Sequence, residues 1–154
     1  MINRIDYYAH NPKCVDRLES LDKHITAIDP QLSALVDLRV SQINGCVYCV
    51  DLHAQAAREA GESQQRLDCL PVWQECPFFE ERERAALAWA EALTHVSKTH
   101  APDALYEALT TQFSEREIVD LTHSIAVTNT WNRIAVGFRH LPEARGDEVQ
   151  SQAA

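Results

Sequence analysis

Apolar side chains recur every three or four positions along most of the chain, and residues that start or stop helices interrupt the recurrence. Asn11-Pro12 reads as an N-cap with proline at the first helical position, and Val15, Leu18, Leu21 and Ile25 follow at helical spacing. A helix over about 12–27 is predicted. Asp29-Pro30 repeats the device before Leu32, Leu35, Val36, Val40 and Ile43, and Asn44-Gly45 supplies a C-terminal stop, so a second helix spans about 30–44. A third, rich in alanine, runs over about 46–60 to Gly61. Ser63 can cap a short fourth helix that Pro71 interrupts, although Arg66 cannot complete a capping box with it. Residues 80–96 carry Ala86, Trp89, Leu93 and Val96 on one face, Pro102 opens a sixth helix, and Ser114-x-x-Glu117 is a capping box that starts a long last one to about His140. No stretch alternates with period two, so the expected fold is all-α. The polar end, 146–154, is expected to be frayed.

Composition narrows this picture. A length of 154 residues, with 45% hydrophobic content and four glycines, suits one domain over 1–154 with its core at about 20–140. The 23 acidic and 14 basic residues give a formal charge of −9, and no Lys/Arg stripe is present, which argues against nucleic acid as a partner. No segment approaches the roughly 20 apolar residues needed to cross a bilayer, and the amino terminus lacks a signal-peptide core, so the expected location is the cytoplasm. Thiols there are mostly reduced, and the five cysteines read as free thiols, ligands or catalysts.

The chemistry concentrates in Cys46-x-x-Cys49-x-x-x-His53. At 100° per residue the three side chains fall within an arc of about 60° on one helix face. Gly45 ends the preceding helix, which puts Cys46 in a first turn where free N–H groups and the helix dipole favour an anion. Cysteines so placed have pKa values lowered to about 3.5–7.5. Positions i and i+3 there are near enough to be bridged, and His53, one turn beyond Cys49, can take a thiol proton and return it. Haem attachment would need histidine where Val50 stands, and a zinc site would need a fourth ligand that Cys69 and Cys76, on either side of Pro71, supply poorly. The bland alternative is that buried cysteines simply pack, and Cys14, Cys69 and Cys76 are read that way.

Residues 38–53, LRVSQINGCVYCVDLH, resemble the core of the AhpD-like alkylhydroperoxidases, the group that also includes carboxymuconolactone decarboxylases, and the resemblance extends to 81–94 and to 131–135. It implies an all-helical protomer, a homo-oligomer of three or six chains, and a thiol peroxidase without metal or organic cofactor. It further implies that Cys49 attacks the peroxide, that Cys46 resolves the sulfenic acid to a disulfide, and that a lipoylated or thioredoxin-like protein reduces it. Helix electrostatics make Cys46 the more acidic thiol, yet the position of His53 one turn from Cys49 favours Cys49 as the attacking group. A decarboxylase-type enzyme and a non-enzymatic redox sensor are the alternatives on the same scaffold.

One position departs from the family pattern. A glutamate twelve residues before the first cysteine often completes a proton relay, and here that residue is Ala34. Asp37 reads as a solvated charge, whereas Glu91, set among apolar neighbours, is the candidate substitute. Tyr48 reads as aromatic packing, residues 131–133 as an Arg–carboxylate contact or a subunit interface, and the remaining histidines carry no assigned role.

Overall fold

The computed structural model describes residues 3–144, and the polar end expected to be frayed lies outside them. Nine α-helices follow one another as α1 (Tyr7–His10), α2 (Pro12–Asp22), α3 (Pro30–Asn44), α4 (Val47–Glu59), α5 (Gln64–Cys69), α6 (Glu81–Thr94), α7 (Val96–Thr99), α8 (Asp103–Gln112) and α9 (Glu115–Phe138). A single 3₁₀ turn, Leu70–Val72, follows α5, and no strand occurs among the described residues. The fold is all-α, as the hydrophobic period predicts.

Helix α3 is the axis of the bundle, packed on α4, α6 and α9. Its start is fixed locally, with Pro30 in the first turn and Asp29 Oδ1 accepting the N–H groups of Gln31 and Leu32 at 2.9 and 3.2 Å. Its end is fixed by Gly45, whose φ of +65° lies in the left-handed region that a Cβ disfavours. Leu35, Val36, Leu38 and Val40 are wholly or almost wholly removed from solvent against Ala86, Leu87 and Ala90 of α6 and Leu121 and Ile125 of α9. Truncating one of these leucines to alanine removes about 2–5 kcal/mol, because the cavity collapses only in part.

Where the observed elements differ from the predicted ones, a distant residue is responsible. Helix α2 stops at Asp22, not near 27, because Asp120 of α9 captures the N–H groups of Thr26 and Ala27, each at 2.9 Å. Those two bonds hold the Asp120 carboxyl below its usual value. Helix α6 ends at Thr94, and Val96 belongs to the separate short α7. Its start uses Glu80 as the cap with Glu83 reaching back, a capping box without Ser or Thr. Ser63 does cap α5, and Arg66, unable to close that box, instead pairs with Glu62 and Glu83 and donates to the Phe78 carbonyl. Among the described residues no helix is long and apolar enough to cross a membrane.

Candidate active site

The left-handed turn at Gly45 reverses the chain directly into Cys46, which adopts extended backbone angles (φ −84°, ψ 98°) and is the N-cap of α4. Its N–H donates to Ser41 O at 3.1 Å, and its Sγ accepts the N–H of Cys49 at 3.3 Å. A sulfur thus does the work that a serine or aspartate oxygen ordinarily does at a helix start. Both cysteines are free thiols with 1% and 3% of their surface exposed.

The pair behaves as one acid. Cys46 is lowered to about 7, first by the hydrogen bond from the Cys49 thiol and then by the Cys49 and Tyr48 N–H groups, with burial opposing. Cys49 is driven far up by the same bond, by burial and by the Cys46 charge, while the Asn132 side chain pulls it down. The titration of each thiol thus depends on the state of the other.

Asn132, 1% exposed, anchors this arrangement from α9. Its Nδ2 donates to Ser41 Oγ at 3.0 Å and its Oδ1 accepts from Asn44 Nδ2 at 2.8 Å. Asn44 Nδ2 also donates to Asn129 Oδ1 at 3.0 Å, so one amide ladder joins the end of α3 to α9. Among the described residues Arg133 meets no carboxylate, one of the two contacts expected of it beside a subunit interface; it donates to Asn129 O and Oδ1 one turn back, both at 2.8 Å. The asparagine, not the arginine, is the member of 131–133 that touches the cysteine pair.

Cys49 and His53 together line a cavity of about 370 Å³, walled by Tyr7, Tyr8, Tyr48 and Trp131. The tyrosines come partly from α1, a short helix that the apolar pattern does not reveal. Tyr7 and Tyr8 stack at 4.6 Å between ring centroids, and Tyr48 meets His140 edge-on at 4.1 Å.

Asp37 corrects the reading of it as a solvated charge. It is half-buried, because α9 crosses that face of α3, and its Oδ1 accepts from Ser124 Oγ at 3.1 Å and Thr128 Oγ1 at 2.7 Å. Burial raises its pKa, and the charge of His53 and the two hydroxyls work against that rise. A carboxyl therefore does act electrostatically on His53, from a position three residues after Ala34. Glu91, the sequence candidate for that part, lies elsewhere. Its Oε1 accepts from Arg39 Nε and Nη2 at 2.8 and 2.7 Å and from Trp73 Nε1 at 2.8 Å, and its Oε2 from Gln74 Nε2 at 3.1 Å. It joins α3, α6 and the segment after α5, and it does not line the Cys49–His53 cavity.

Cys76 is buried and Cys69 half-buried against the main core, and burial raises the pKa of Cys69. Cys14 is exposed.

An all-helical bundle with a CxxC pair at a helix start and a histidine on the same face defines the class. The chain belongs to the carboxymuconolactone decarboxylase family, whose model matches residues 12–92. It is 36% identical over 140 residues to the uncharacterized protein YdfG of Bacillus subtilis, covering 90% of this chain and 95% of that one. It is 39% identical to a crystal structure of ATU0492 from Agrobacterium tumefaciens, a protein of unknown function proposed to be the antioxidant defence protein AhpD. That superposition has a TM-score of 0.91 and covers 94% of this chain and 100% of the other. The debrominase Bmp8 shares the fold at 24% identity and a TM-score of 0.78, covering 88% of this chain and 74% of its own.

Proposed function

We propose that the protein is a thiol-dependent peroxidase that reduces organic or hydrogen peroxides through a Cys46/Cys49 dithiol–disulfide cycle. The observation that carries this reading is a buried pair of thiols at a helix start, with the Cys46 sulfur accepting the Cys49 N–H and Cys49 lining a cavity beside His53. A peroxide in that cavity meets Cys49, not Cys46. Transfer of the Cys49 proton to His53 leaves the Cys49 sulfur as the nucleophile, which attacks one peroxide oxygen. The O–O bond breaks, the departing alkoxide or hydroxide takes the proton from His53 and leaves as an alcohol or water, and Cys49 becomes a sulfenic acid. The Cys46 thiolate then attacks the Cys49 sulfur, the S–O bond breaks, and the hydroxide takes a proton from solvent to leave as water. An external dithiol, carried by a lipoylated or thioredoxin-like protein, restores the pair by exchange.

In this cycle Asp37 is a positioning residue. The charge of His53 favours the carboxylate form of Asp37, which couples the two groups across α3 and α4. Asn132 orients the Cys49 sulfur and offsets part of the cost of its negative charge. The cycle calls on no metal or organic cofactor, and by the family likeness it runs in a homo-oligomer of three or six chains.

Stopped-flow peroxide reduction with a supplied dithiol tests the proposal, with mass spectrometry of the cysteine first trapped as sulfenic acid. The expected result is multiple turnover with the label on Cys49. Full turnover by Cys49→Ser overturns it, and oxidation that changes assembly without turnover favours a redox sensor.

A further inference from the structure

We propose that the cavity beside Cys49 and His53 takes hydroperoxides that carry an aromatic ring, and that Tyr7 and Tyr8 of α1 are the residues that select them. The inference rests on the peroxidase reading for the reacting group and on the cavity alone for the ring.

Helix α1 contributes nothing to the core, since none of its four residues is buried. Its place is nevertheless fixed at both ends. In front of it, Arg4 donates its N–H to Phe138 O at 2.9 Å and its Nη1 to Gly137 O at 3.0 Å, which satisfies carbonyls that the last turn of α9 leaves free. Asp6 Oδ1 caps α1 by accepting the N–H of Ala9 at 3.1 Å, and behind it Asn11 Oδ1 accepts the N–H of Cys14 at 3.4 Å and opens α2. A segment without a core is thus strapped from the end of α9 to the start of α2. What it carries across that span is a pair of tyrosines.

The rings of Tyr7 and Tyr8 stack with centroids 4.6 Å apart and 29° between their planes, and Tyr7 also stacks on Phe138 at 5.5 Å. They form one wall of the 370 Å³ cavity, and Tyr48 of α4 and Trp131 of α9 supply the other aromatic surfaces. Tyr8 is 38% exposed, so ring surface remains for a guest to cover. The strap precedes residues 12–92, the part that matches the family, so this wall is added to the cysteine helix from outside it.

An aromatic wall prefers a ring as its neighbour, offset-stacked or edge-on. The charged members of the lining, Glu19, Asp22 and Lys23, are exposed, so they border the opening and the rings form the body of the pocket. Its volume stands at the lower end of the roughly 300–1,000 Å³ of small-molecule sites, which suits one ring with a short hydroperoxide arm better than a long acyl chain. Because Cys49 and His53 line the same cavity, a ring held there keeps its O–O bond in the space that the thiol faces. The Cys49 sulfur then takes the terminal oxygen, the O–O bond breaks, and the ring-bearing alkoxide leaves as an alcohol with the proton of His53.

Binding and reaction are tested separately. In isotope-labelled, reduced protein the indole N–H signal of Trp131, assigned by its loss in Trp131→Phe, should shift saturably with 2-phenylpropan-2-ol, the alcohol left by cumene hydroperoxide. It should respond far less to 2-methylpropan-2-ol, the alcohol left by tert-butyl hydroperoxide. In stopped flow, kcat/KM for cumene hydroperoxide relative to tert-butyl hydroperoxide should fall about threefold to tenfold in Tyr8→Ala, the usual worth of one aromatic pair. Tyr8 lies outside the core, so this variant keeps the fold. The proposal is overturned if the two alcohols shift the indole equally or not at all, or if Tyr8→Ala keeps the wild-type ratio. Selective ring binding without consumption of any peroxide would uphold the aromatic pocket and sink the peroxidase reading instead.

Discussion

Two stretches of the bundle carry two cysteines each, and they set them in opposite surroundings. Cys46 and Cys49 open α4, where backbone N–H groups and the helix dipole point at sulfur, and the first thiol is lowered to about 7. Cys69 closes α5, where no such groups point at it, and its pKa is raised. The first pair faces a cavity beside His53, whereas the second is bounded by Pro71 and the Arg84 contacts. A cysteine pair becomes reactive through its place on a helix and through its neighbours, and spacing along the chain says little about either.

The comparison predicts most sharply what happens when the first pair is broken. Cys49→Ser should lower peroxide consumption by about 10³-fold or more, and Cys46→Ser should permit one stoichiometric reaction without turnover, both read by stopped flow. Cys69→Ser should leave the rate unchanged. His53→Ala should cost about 10²–10⁴-fold in kcat/KM, the usual worth of a positioned base, and an unaltered pH–rate profile would remove it from that role.

The two pairs should also separate by pH. Peroxide reduction should rise about tenfold per pH unit below about 7 and then level, as the Cys46/Cys49 proton is lost. Ultraviolet absorbance of the thiolate should show the same midpoint, with Cys69 ionising only above the ordinary thiol range. A single midpoint near 9 for all cysteines would erase the distinction.

Asp37→Asn should give a smaller change, about fivefold to tenfold slower turnover, because the charge acting on His53 is lost. Its stability signature has a definite sign. The folded pKa of Asp37 is raised above 3.8, so the folded state binds more protons and the stability Asp37 contributes is lost as pH rises through the folded value. The variant should therefore match or exceed the wild type at neutral pH in urea melts, and a large loss there would make Asp37 purely structural. The smallest effect concerns the cap. Cys46→Ala should destabilise the chain by about 1 kcal/mol relative to Cys46→Ser, which keeps an acceptor at the N-cap, measured by the same melts.

The sequence made legible whatever neighbours in the chain decide. Asp29-Pro30 and Asn44-Gly45 bound α3 at the residues observed, Ser114 and Glu117 start α9, and the periodicity that puts Cys49 and His53 on one face agrees with their shared cavity, whereas Cys46 stands outside the helix as its N-cap. What it hid was settled by partners far along the chain. Asp120 ends α2 from more than ninety positions away, and Ser124 and Thr128 turn Asp37 from an apparent surface charge into a half-buried, hydrogen-bonded one. Glu91 did sit among apolar residues for a reason, but the reason is Arg39, Trp73 and Gln74.

The sulfur of Cys46 holds two offices that it cannot keep at once. In the dithiol form it closes the first turn of α4 as an acceptor for the Cys49 N–H, and in the disulfide it is committed to a covalent bond and carries no charge. Under the proposed cycle, oxidation would therefore take away the charge that the first turn of α4 leans on, so the state of the thiols would be written into the backbone. Deuterium exchange at the Cys49 amide, faster in the oxidised protein than in the reduced one, is the expected sign.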